Sequence, residues 1–98
     1  MELLLDLVSV REGEKTLLKS VFSGCSLRID GNHLLLCQPS LDYIDFPIEA
    51  FDAEIHGNQI SFSTNKFDAV LLICKNEAFL RIKNNPELQL AYHIVERS

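Results

Sequence analysis

The chain has no tryptophan, one methionine and three cysteines, and between Arg28 and Lys66 it has no lysine or arginine at all. Each shortage closes off a class of protein. Three cysteines without a CxxC pair argue against a disulfide framework and for free thiols, which makes a reducing compartment, the cytoplasm, the expected location. No apolar run approaches the ~18 residues of a membrane-spanning helix. The opening MELLLDLVSV carries Glu2 and Asp6 and lacks the basic start and small-residue cleavage site of a secretory signal. A net charge of −5 speaks against direct binding of nucleic acid or an anionic membrane, both of which demand clustered Lys and Arg.

Acid fills the gap that the missing bases leave. Residues 29–65 hold six carboxylates and no Lys or Arg, a net of −6, whereas the rest of the chain holds 8 acids and 9 bases, a net of +1. The overall charge is therefore that of the middle. Five of the six acids (Asp42, Asp45, Glu49, Asp52 and Glu54) fall within LDYIDFPIEAFDAE, residues 41–54, interleaved with Tyr43, Phe46 and Phe51. A one-sign stretch carrying aromatics serves either as a solvated face or as an electrostatically steered contact surface.

Ninety-eight residues make a single domain, 1–98, large enough for a two-layer core and too small for a second lobe. Residues 2–10 alternate Leu3, Leu5 and Leu7 against Leu4, Asp6 and Val8, the period of a strand with one buried face. A charged break, Arg11-Glu12-Gly13-Glu14-Lys15, follows. Residues 16–23 fit two readings: a helix ending at Gly24, or a strand paired back onto residues 4–10. The strand is favoured because no Ser, Thr, Asp or Asn stands where a helix N-cap is needed.

Beyond Cys25 the pattern sharpens. Gly31-Asn32 and Gly57-Asn58 each sit between alternating apolar segments and suit the positive φ of a two-residue hairpin turn. Further turns at Asn65-Lys66 and Lys75-Asn76 make the second half a four-strand antiparallel meander. In that register Phe51 faces Thr64, Ala53 faces Phe62 and Ile55 faces Ile60. Phe62 then faces Ala69, Ile60 faces Leu71, and Ala69, Leu71 and Ile73 face Ile82, Leu80 and Ala78. One face is apolar almost throughout, and a one-residue slip at any turn would scatter it. On the other face Val70, Leu72, Cys74 and Phe79 form an apolar patch that requires a cover, while Asp52 and Glu54 point to solvent beside Ser61 and Ser63. Gln38-Pro39-Ser40 breaks the chain, and Pro47 keeps residues 41–49 out of a central strand. The C-terminal PELQLAYHIVERS fits both periods, and the alternation of Leu88, Leu90, Tyr92 and Ile94 favours a strand. The expected fold is mainly β: a small antiparallel meander and hairpin sheet, sandwich- or barrel-like, with room for one short helix at 16–23 or 86–96.

Catalytic signals are weak. If Gly31-Asn32 is a turn, Ser26 pairs with Cys37, which puts Cys25 and Cys37 on opposite faces where they cannot bridge. His33 and Cys37 share a face two pleats apart with no third ligand for zinc. Neither a phosphate loop nor HExxH nor GxSxG is present, and Asp42/Asp45 or Asp52/Glu54, as neighbours on one edge, do not face each other across a cleft. The expectation is a protein that is not an enzyme and needs no cofactor or metal. Its acidic surface (Asp42, Tyr43, Asp45, Phe46, Glu49, Asp52, Glu54) would dock on a basic protein partner and inhibit or neutralise it, as an immunity protein does. A nuclease or another nucleic-acid-binding protein is one such partner. Two alternatives stand beside this: a homo-oligomeric assembly subunit joined through the Val70/Leu72/Phe79 face or a sheet edge, and a small β-barrel for a hydrophobic ligand, whose inner Phe, Ile and Leu side chains would fill that space.

Overall fold

The computed structural model describes residues 1–18, 20–38, 51–64 and 66–97, and among these every regular element is a strand. In chain order they are β1 (Glu2–Glu12), β2 (Lys15–Thr16), β3 (Phe22–Asp30), β4 (His33–Cys37) and β5 (Phe51–His56). The meander continues with β6 (Gln59–Ser63), β7 (Asp68–Cys74), β8 (Glu77–Ile82) and β9 (Asn85–Arg97). Each strand pairs antiparallel with the next, except that β3 pairs with β1, and β9 returns to pair with β1 as well. The sheet thus closes on itself as an eight-stranded up-and-down barrel, with β2 a short hairpin arm on the end of β1. Of the two architectures expected, the barrel is the one formed. No helix among the described residues is long and apolar enough to cross a membrane.

The meander has the register that the turns dictate. Ala53 pairs with Phe62 and Ile55 with Ile60, Phe62 with Ala69 and Ile60 with Leu71, then Leu71 with Leu80 and Ile73 with Ala78. The turns do more than reverse the chain. In Gly31-Asn32, Gly57-Asn58 and Lys75-Asn76, the asparagine carbonyl accepts a bond from the next strand but one: Asn32 from Ala53, Asn58 from Ile73 and Asn76 from Ile94. Each strand therefore runs past the tip of the preceding hairpin, and this repeated stagger tilts the strands as closure requires. Gly31 and Gly57 hold φ near +60°, where a β-carbon is strained.

Alternate residues point inward and fill the barrel. Leu3, Leu5, Leu7, Leu27, Leu34, Leu36, Ile60, Leu71, Leu80 and Leu90 are essentially inaccessible to solvent. Burying each such side chain contributes about 1.5–3 kcal/mol. One polar pair lies among them: the Tyr92 hydroxyl donates to Gln38 Oε1 at 2.5 Å, while Gln38 Nε2 is buried without a hydrogen-bond partner among the described residues.

The strand favoured over 86–96 is formed, and the described residues of 16–23 hold no helix. Residues 85–97 are strand because Leu88, Leu90, Tyr92 and Ile94 each reach the interior between β8 and β1, which a helical stripe could not do. After β2, Leu17 and Leu18 lie half-buried against the core before β3 starts at Phe22, and the backbone N–H of Leu17 bonds to the carbonyl of Val10. Gly24 is no helix terminus. It is the extra residue of a β-bulge, with φ +95°, between the pairs Leu5–Cys25 and Asp6–Ser23. Further bulges at Val8 and Val95 bend β1 and β9 around each other.

Candidate functional site

The closed barrel leaves only its outer wall and its ends for contact. On the wall formed by β5, β6 and the start of β7, outward positions carry Asp52, Glu54, Ser61, Ser63 and Asp68. The alternation that buries Ala53, Phe62 and Ala69 dictates this. With Asn32, His33 and Lys83 they line an open groove of about 990 Å³. Glu54 stands directly opposite Ser61, and the Ser63 hydroxyl donates to Asp68 Oδ1 at 2.6 Å. His33 Nδ1 lies 3.1 Å from Asp52 Oδ1, and His56 Nε2 lies 3.7 Å from Glu54 Oε2. All four of these side chains are largely exposed, so each pair is solvated and contributes at most about 1 kcal/mol.

Of the seven residues expected to form an acidic surface, Asp52 and Glu54 point outward from β5 into the groove. Asp42, Tyr43, Asp45, Phe46 and Glu49 lie outside the described residues, as does Pro47. Asp68 lies on this face as the meander register places it, opposite Ser63. His33 and Lys83 join the groove without a local signal for it, His33 because its cross-strand partner is Asp52.

The remaining reactive groups do not converge. Cys25 is buried, Cys37 half-buried and Cys74 exposed, and all three are free thiols. Burial pushes the Cys25 thiol up, and Asp6 adds to the shift against an opposing backbone hydrogen bond at Leu7, so its nucleophilic thiolate is disfavoured. Burial likewise pushes the Tyr92 phenol well above its ordinary value, with Cys25 as a lesser cause. No three His, Cys, Asp or Glu side chains among the described residues are placed to hold a metal ion.

A second feature marks the neighbouring wall. Leu72 and Phe79 are 37% and 40% exposed and form a cross-strand pair on β7 and β8. The expected apolar patch is real, and the terminal strands close the barrel beside it rather than covering it.

These features define a small closed β-barrel with an acidic groove on one wall and an apolar strip on another. In comparisons with protein-family models, curated proteins and solved structures, nothing matches the chain.

Proposed function

We propose that this barrel is a non-enzymatic binding protein that docks its acidic β5–β7 wall on a basic protein and blocks it, in the manner of an inhibitor or immunity protein. The observation that carries this reading is the gathering of Asp52, Glu54 and Asp68 on one outward face, in a groove whose one described Lys or Arg is Lys83. Carboxylates arrayed this way can stand where the phosphates of a nucleic acid would sit on a nuclease or nucleic-acid-binding protein. They speed encounter with a positive surface and reject negative ones. The five further acidic-stretch residues, Asp42, Tyr43, Asp45, Phe46 and Glu49, belong to the same proposed surface, with the two aromatics as its anchors. Such a protein works where its partner is made, which for free thiols is the cytoplasm. The alternative of a hydrophobic ligand inside the barrel is disfavoured by the close-set Leu, Ile and Phe side chains of the interior.

The test is a pull-down from native lysate with immobilised barrel, washed at low and then high salt, beside the Asp52→Lys/Glu54→Lys/Asp68→Lys variant. A basic protein should be retained by the wild type, released by salt and missed by the variant, with association slowed at least ~10-fold. Equal retention by both forms would overturn the proposal.

A further inference from the structure

The apolar strip extends beyond β7 and β8. Phe79 pairs with Ala91 on β9, and Ala91 pairs with Ser9 on β1, where the bulge turns Val8 outward at 41% exposure. Leu72, Phe79, Ala91 and Val8 therefore make one outward row across four adjacent strands, of which Leu72, Phe79 and Ala91 on β7–β9 share a face while Val8 lies further round the wall. The rows on either side are charged, and oppositely so. One pleat toward the Lys75-Asn76 turn, Glu77 pairs with His93, which pairs with Asp6. One pleat the other way, Arg81 pairs with Gln89, which pairs with Arg11. None of these four charged residues forms an ion pair among the described residues; the pairs formed are Arg28–Asp30, His33–Asp52 and His56–Glu54.

We propose that the protein associates with a second copy of itself through this row, as a two-fold dimer whose axis runs along the row. The charges select the partner and the axis. A rotation about the row, centred on β8, lays Phe79 against its own copy and brings the acidic side of one chain over the basic side of the other. Glu77 then meets the partner's Arg81. An axis along the strands would instead set Glu77 on Glu77 and Arg81 on Arg81. A self-complementary patch of this kind is what an isologous interface requires.

The footprint sets the strength. Three strands at ~4.8 Å spacing, and about 13 Å between Glu77 and Arg81 at ~3.3 Å per residue, give a patch well below the ~800 Å² per partner of a standard interface. The dimer is accordingly weak and concentration-dependent, and its charged flanks make it salt-sensitive.

Sedimentation velocity of the full chain, from about 10 μM to about 1 mM in low salt, should show a monomer giving way to a dimer. Phe79→Asp should abolish the dimer while the circular dichroism spectrum stays unchanged, because that side chain lies on the outer wall. Glu77→Arg and Arg81→Glu should each weaken association about 10-fold, and the double variant should restore it to near the wild-type level. A monomer at every concentration would overturn the proposal. So would a dimer indifferent to Phe79→Asp, or a double exchange that fails to rescue. The Asp52→Lys/Glu54→Lys/Asp68→Lys variant should dimerise like the wild type, which keeps this result separate from the fate of the acidic groove.

Discussion

Two seams of the barrel differ in the extent of pairing among the described residues. Where β1 meets β9, pairs run at nine positions from Leu3–Arg97 to Glu12–Leu88. Where β4 meets β5, the described residues pair at two, His33–Asp52 and Leu34–Phe51. Both seams close the same cylinder. The strong one draws on long strands that bulges bend into register, with Leu5, Leu7, Leu90 and Tyr92 buried beneath it. At the other, β5 runs on past the Gly31-Asn32 turn, where Ala53 bonds to the Asn32 carbonyl, and the acidic groove borders it. Tyr92 ties the two together, reaching from the strong seam across the interior to Gln38, the residue after β4.

Three experiments would break or sharpen this contrast. Leu5→Ala removes a core side chain at the strong seam and should cost about 2–5 kcal/mol in urea unfolding. Leu35→Ala, at a half-buried outward position on β4, should cost under ~1 kcal/mol. Equal losses would mean that the seams do not differ as their pairing indicates.

Tyr92→Phe cuts the tie and leaves Gln38 without its one described partner, at a cost of about 1–3 kcal/mol. The same residue imposes a pH dependence. Its phenol is held protonated in the folded state, while in the unfolded chain it ionises near its ordinary value of 10.0. The unfolded state thus releases a proton that the folded state keeps. Stability should be intact below pH ~10 and fall above it by up to about 1.4 kcal/mol per pH unit. Cys25, also raised, adds a similar fall that starts near its ordinary value of 9.0. Unfolding midpoints measured from pH 8 upward should show the Tyr92→Phe variant losing the steeper part of this decline (about one proton's worth). A decline identical in both forms would refute the assignment to Tyr92.

The smallest effect belongs to the β4–β5 seam. His33→Ala should change stability by no more than about 0.5 kcal/mol, because its partner Asp52 is almost fully exposed. A loss several times larger would show that the seam depends on this one pair.

Much of the meander was legible because three turns had to agree. Gly57-Asn58, Asn65-Lys66 and Lys75-Asn76 together fix which of Ile60, Phe62, Ala69, Leu71, Ala78 and Leu80 share a face, and those residues do line the core. Of the middle turn, Asn65 lies outside the described residues, yet the Ser63–Asp68 pair on its flanks keeps the expected register. Closure was not legible. It depends on β9 meeting β1, a pairing that no local pattern encodes, and on bulges at Val8, Gly24 and Val95 that shift the alternation by one. The ambiguity at 86–96 arose because alternation and helical periodicity coincide over Leu88 and Tyr92, and pairing with β8 on one side and β1 on the other resolved it. Of the acidic surface, Asp52 and Glu54 were readable from the pleat alone, whereas His33 joined them through a pairing between distant strands.

The pairing of Leu5 with Ile94 has a consequence in time. A ribosome releases β1 long before β9 exists, so the strand that anchors closure waits through the synthesis of every strand between them for its last partner. Until then β1 and β8 are free edges, able to pair with neighbouring nascent chains. The finished barrel has hidden that hazard. The period of risk is the interval of translation, and a chaperone that holds β1 apart until β9 emerges would act on it directly.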